Sequence, residues 1–86
     1  MDWKTFAWIK RGNRRKEALK ILSNSNQPLS PTDMKNKMKI SLPQISLLLK
    51  ELSEQKVITC LNAEDSIGKL YVINKKGKLI MKELEK

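Results

Sequence analysis

One helix-starting device occurs twice within a short stretch, and it constrains this chain more than any other feature. In Ser30-Pro31-Thr32-Asp33 the serine occupies the N-cap position, the proline the first helical position and the aspartate the first turn. These predict a helix to about Lys39, with Met34 and Met38 on its inner face. Ser41-Leu42-Pro43-Gln44 repeats the pattern. Ser41 caps, and Gln44 can return a bond to the capping residue's N–H as in a capping box. The helix that follows, to about Gln55, places Ile45, Leu48, Leu49 and Leu52 within an arc of about 100° at helical spacing, with Leu42 at its margin. Two short helices joined by a tight turn are therefore expected over residues 30 to 55.

The flanking segments complete the layout. Val57-Ile58-Thr59-Cys60-Leu61 and Leu70-Tyr71-Val72-Ile73 are rich in β-branched residues, and the polar stretch between them contains Gly68. They predict a hairpin with a long loop. Asn74 can cap a last helix carrying Leu79, Ile80, Met81 and Leu84. Upstream, Trp3, Phe6 and Ala7 recur at helical spacing over residues 1 to 11. Asn13 is the expected N-cap of a helix from Arg14 to about Ser23, whose apolar face is Ala18, Leu19, Ile21 and Leu22. The expected order is α-α-α-α-β-β-α, a mostly α domain with a small β-hairpin (α+β), spanning residues 1 to 86 as a single unit.

Composition removes several classes of function. With 86 residues, no His and one Cys, the chain cannot build within one subunit a zinc site, an internal disulfide or a histidine acid/base centre. No metal and no cofactor are expected, and so small a chain leaves little room for a deep substrate pocket. Apolar runs fall short of the roughly 20 residues that span a bilayer, so no membrane partner is expected. The basic N-terminal stretch lacks the apolar core of a leader sequence. These features give the expectation of a soluble, cytoplasmic protein. Its 18 Lys+Arg against 9 Asp+Glu, a net charge of +9, either serve solubility or attract a polyanion.

A helix, a short turn, a second helix and then a hairpin form the layout in which the second helix enters a DNA major groove. Leu29-Ser30-Pro31-Thr32-Asp33-Met34, Met38-Lys39-Ile40-Ser41-Leu42-Pro43-Gln44-Ile45-Ser46 and Leu49-Lys50-Glu51-Leu52 resemble the winged helix-turn-helix of the MarR and ArsR repressor families. Val57-Ile58 is similar to the start of the second strand, Gly68-Lys69-Leu70-Tyr71 to the returning wing strand, and Asn74-Lys75-Lys76-Gly77 to the entry of the last helix. The resemblance covers about residues 14 to 84. Trp8 to Lys16 is similar to the start of short archaeal regulators of this type. The chain departs from the pattern at Lys39 and Lys56, where the families often carry Gly, and a left-handed Lys is costlier there. The arsenical-type Cys pair is also absent.

The resemblance implies a homodimer that binds double-stranded DNA sequence-specifically, with the helix at 41 to 55 in the major groove and the wing at 62 to 69 on the minor groove or backbone. Nucleoid association would follow. The residues can be weighed beside it. Ser41, Pro43, Gln44, Ser46, Leu47 and Lys50 lie off the apolar stripe and are the candidate reading face. Leu47 is either an isolated exposed apolar residue or a contact for a thymine methyl. Gln44 either completes the capping box or pairs with adenine. Arg14, Arg15 and Lys16 occupy a first helical turn, where the macrodipole disfavours cations; a phosphate would reverse that penalty, and otherwise the chains bend into water. Lys35, with Lys37 and Lys39, faces the same choice, and Lys69 beside Gly68 is the candidate wing contact.

Trp3, Phe6, Trp8 and Ile9 are too much apolar surface for an exposed terminal helix. They either cap the subunit's own core or pack against a second subunit, together with Leu79, Ile80, Met81 and Leu84. Cys60 is expected to be a small buried hydrophobe. The leading expectation is a non-enzymatic, dimeric transcription regulator, working without an effector. The alternatives are a winged-helix adaptor for proteins and a non-specific nucleic-acid binder; RNA is disfavoured by the few aromatics available for stacking.

Overall fold

The structure, a computed structural model, describes residues 1–86. It contains α1 (Trp3–Lys10), α2 (Asn13–Asn24), α3 (Pro31–Met38), α4 (Leu42–Glu54), β1 (Ile58–Cys60), β2 (Tyr71–Ile73) and α5 (Lys75–Leu84). Element order and fold class agree with the sequence reading. Both capping boxes form. The Asp33 carboxylate accepts from the Ser30 backbone N–H at 3.0 Å while Ser30 Oγ accepts from the Asp33 N–H at 3.1 Å. Those bonds favour the ionised carboxylate and hold Asp33 below its ordinary value. At α4, Gln44 Oε1 accepts from the Ser41 N–H at 3.1 Å, and Ser41 Oγ accepts from the Gln44 N–H at 3.4 Å.

Two boundaries differ from expectation. The N-cap of α2 is Gly12, in extended backbone and without a side-chain cap, and Asn13 is already helical. At α1 the cap is Asp2, whose carboxylate accepts from the Thr5 N–H at 3.1 Å and from the Thr5 hydroxyl at 2.8 Å. The same carboxylate lies 2.9 Å from Lys76 Nζ, which also donates to the Gln55 carbonyl at 2.9 Å. A single cation thus joins the start of α1 to the end of α4 and the start of α5. It is the main reason the Asp2 carboxyl titrates far below the usual carboxylate range.

β1 and β2 pair antiparallel with Ile58 opposite Ile73, Thr59 opposite Val72 and Cys60 opposite Tyr71. A third, single-residue participant was not foreseen. Leu29 bridges Tyr71 from the other side, its N–H donating to the Tyr71 carbonyl at 3.0 Å and its carbonyl accepting from the Tyr71 N–H at 2.8 Å. This bridge fastens the entry of α3 to the root of the wing. The core lies around α2, against which α1, α3, α5 and β2 pack. Its fully enclosed side chains include Leu19, Met34, Ile45, Leu49, Leu52 and Ile80. Cys60 is half-buried on β1 and free.

Lys39 and Lys56 are the two non-glycine residues with positive φ, each at 61°. Lys39 ends α3 and sets the turn into α4; Lys56 sets the turn from α4 into β1. A side chain with a Cβ is strained in this region. Lys39→Gly and Lys56→Gly are each expected to raise stability by about 0.5–1 kcal/mol, the strain relief exceeding the added freedom of the unfolded chain. Urea unfolding of the two variants checks this.

Candidate nucleic-acid interface

Helix α4 is amphipathic by construction. Ile45, Leu48, Leu49 and Leu52 are buried, which turns Ser41, Pro43, Gln44, Ser46, Leu47 and Lys50 outward into solvent. Leu47 is 58% exposed and joins no core. Gln44 serves the capping box through Oε1, and its amide nitrogen makes no bond within the protein. With Oε1 accepting from both the Ser41 N–H and its hydroxyl, only the amide nitrogen remains to meet a base, as a single donor and not as the two-point contact to adenine.

Two open grooves run beside this helix and hold most of the expected contacts between them, though neither Ser41 nor Pro43 lines one. One, of about 450 Å³, lies toward the α1–α2 joint and brings together Arg14, Arg15, Gln44 and Leu47 with Arg11 and Glu51. The other, of about 940 Å³, lies between α4, the start of α3 and the wing, and brings together Ser46, Lys50 and Lys69. Lys35 is exposed on α3 and lines neither groove.

Arg15 is also engaged within the subunit. Its Nη1 donates to the Trp8 carbonyl at 2.7 Å, and its guanidinium carbon sits 4.2 Å from the centroid of the Trp8 ring. The physical reason is that a cation disfavoured at the N-terminus of α2 is favoured at the C-terminus of α1, where carbonyls are unpaired. Arg15 locks the joint between the helices, leaving exposed Arg14 as the freer cation.

The wing is built on Asn62. Its Nδ2 donates to the Gly68 carbonyl at 3.0 Å and to Asp65 Oδ2 at 3.1 Å, and its Oδ1 accepts from the Leu70 N–H at 2.8 Å. Gly68 takes φ 73°, where a side chain would be strained. At the tip Ile67 is 87% exposed. Sequence reasoning missed both Asn62 and Ile67. A long polar loop gave no period to follow, although an isolated isoleucine before Gly68 was itself a signal.

The terminal apolar residues separate into two groups. Ile9 and Ile80 are wholly enclosed and Met81 is 5% exposed, so these three belong to the subunit's own core and are not surface for a partner. The correction has a simple cause: α1 and α5 both pack on α2, and each spends an apolar stripe there. Phe6, Trp8 and Leu84 are half-buried against that core. Trp3 and Leu79 remain exposed, at 59% and 50%.

No protein-family model matches the chain, and no curated protein matches it in sequence. Solved structures do. MepR of S. aureus in complex with DNA superposes with a TM-score of 0.78 at 19% identity over 95% of this chain and 68% of that one. The adhesin competence repressor AdcR of Streptococcus pyogenes gives 0.72 at 22% identity over 90% of this chain and 56% of that one. CouR of Rhodococcus jostii RHA1, bound to p-coumaroyl-CoA, gives 0.74 at 18% identity over 95% and 58%. The chain thus spans less than two thirds of AdcR and CouR and about two thirds of MepR. All three are bacterial, which lends no support to the archaeal likeness. At these identities the agreement is one of fold, and it covers nearly the whole chain: this protein has the winged helix-turn-helix fold shared by MarR-family regulators.

Proposed function

We propose that the protein is a sequence-specific, double-stranded DNA-binding transcription regulator that acts as a homodimer and catalyses no reaction. The observation that carries this reading is the outer face of α4. It is a rigid helix held by its buried leucines, presenting Ser46, Leu47 and Lys50 to solvent between two grooves. A B-DNA major groove admits one α-helix, and such a face can contact base edges and phosphates together. The same fold carries DNA in the MepR complex. In this reading Gln44, Ser46 and Leu47 meet bases, while Arg14, Lys35, Lys50 and Lys69 meet phosphates, helped by the net charge of +9. Ser41 and Pro43 set the start of the reading helix. Exposed Trp3 and Leu79, with half-buried Phe6, Trp8 and Leu84, form the two-fold interface.

No helix is long and apolar enough to cross a membrane. A cytoplasmic, nucleoid-associated protein fits this function. The test is selection of bound duplexes from a random DNA pool. A two-fold symmetric motif with half-sites about 10 base pairs apart, or a multiple of that spacing, is the expected product. A single unrepeated half-site would remove the dimer; no enrichment would favour an adaptor or a non-specific binder.

A further inference from the structure

The wing is unusual for a part expected to touch a polyanion. Between its strands lie Glu64 and Asp65 against the single cation Lys69, and its most prominent side chain is aliphatic. Ile67 has the highest exposure of any large hydrophobic residue in the chain, at 87%. The geometry sorts these groups by direction. Ala63, Ser66, Ile67, Gly68 and Lys69 line the groove facing α4, whereas Glu64 and Asp65 do not. Asp65 is turned inward onto the Asn62 amide at 3.1 Å. The wing's own side of this groove is therefore free of acids and carries Ser66, the apolar Ile67 and one cation, while the groove's single carboxylate, Glu54, stands on α4.

The tip is also preorganised. Asn62 ties both ends of the loop, donating to the Gly68 carbonyl and accepting from the Leu70 N–H, and nothing beyond its chain neighbours lies within 4 Å of where a Gly68 Cβ would stand. Holding an isoleucine in water on a fixed loop gives the subunit no packing in return. Apolar side chains of this size enter minor grooves and part the bases there, where phosphate attraction is not required.

We infer that Ile67 is the wing's contact with DNA, an apolar wedge entering the minor groove beside the major groove that holds α4, with Lys69 on the adjoining phosphate. This rests on the DNA-binding reading above and adds a position-specific contact that charge alone does not supply. Such a wedge favours flexible pyrimidine–purine steps at the flank of the site.

The test uses the whole chain and the duplex selected by the wild-type protein, titrated at two salt concentrations. Ile67→Ala is expected to weaken binding about tenfold at both salts, leaving the salt dependence unchanged, because no counterion is released by an apolar contact. Lys69→Ala should instead reduce the salt slope by about one unit. Fluorescence transfer between the duplex ends should report bending with wild type and a straighter duplex with Ile67→Ala. Thermal melting of Ile67→Ala should match wild type, since the side chain joins no core. Unchanged affinity and bending in Ile67→Ala, or tighter binding by Ile67→Lys, would overturn the wedge while leaving the DNA-binding reading intact. Failure of wild type to select any duplex would remove both.

Discussion

Gly77→Ala is expected to lower the stability of the domain by about 2–3 kcal/mol, a fall in melting temperature of roughly 10–20 °C for a chain of this size. Gly77 lies in the first turn of α5, where a Cβ would collide with the Val57 carbonyl oxygen and stand 2.7 Å from Ile73 Cγ1. The first of these is backbone and cannot swing aside. That carbonyl is also fixed by the Asn74 N–H at 3.2 Å, while Asn74 Nδ2 donates to the Lys56 carbonyl at 2.8 Å. Helix α5 would have to lift from the strand, loosening the cap that Asn74 Oδ1 makes to the Gly77 N–H at 3.0 Å. Helix propensity alone predicts the opposite sign, since Ala is better than Gly in a helix by about 1 kcal/mol. Thermal and urea unfolding of Gly77→Ala decide between them: stabilisation would show that the close approach relaxes at no cost.

Leu47→Ala combined with Lys50→Ala is expected to weaken binding to the selected duplex by about 100-fold with no change in melting temperature. Both side chains are exposed on α4, so removing them opens no cavity. The single variants should differ in kind. Leu47→Ala loses an apolar contact and should weaken the selected duplex far more than a scrambled one. Lys50→Ala should also weaken the scrambled duplex and flatten the salt dependence. Titration of the two singles and the double against both duplexes checks this. Undiminished affinity in the double variant would remove α4 as the reading helix.

What could be foreseen from sequence follows from the range of the interactions involved. The N-cap at Ser30 and the capping box at Ser41 are contacts three residues apart, and the stripe of α4 is a local periodicity; these were legible, while the return bond of Asp33 to Ser30 was added by the structure. The left-handed turns at Lys39 and Lys56 could be anticipated because the resembled families often place Gly there. What escaped is non-local. The Leu29–Tyr71 bridge joins residues far apart in the chain, and neither partner carries a signal for it. The contact of Arg15 with the Trp8 carbonyl and ring depends on how α1 packs against α2, which no local pattern announces. Ile9, Ile80 and Met81 have the same composition whether their helices cover the subunit's own core or a partner. Only the packing of α1 and α5 on α2 assigns them to the core.

A winged helix that distinguishes one DNA sequence from another must bind its selected duplex more tightly than a scrambled duplex of equal length and composition. Measured at two salt concentrations, the selected duplex is expected to bind at least ~1000-fold tighter, with a preference that persists as salt rises. Equal affinity for both, vanishing together at the higher salt, would contradict sequence reading and leave only the attraction of a basic surface for a polyanion.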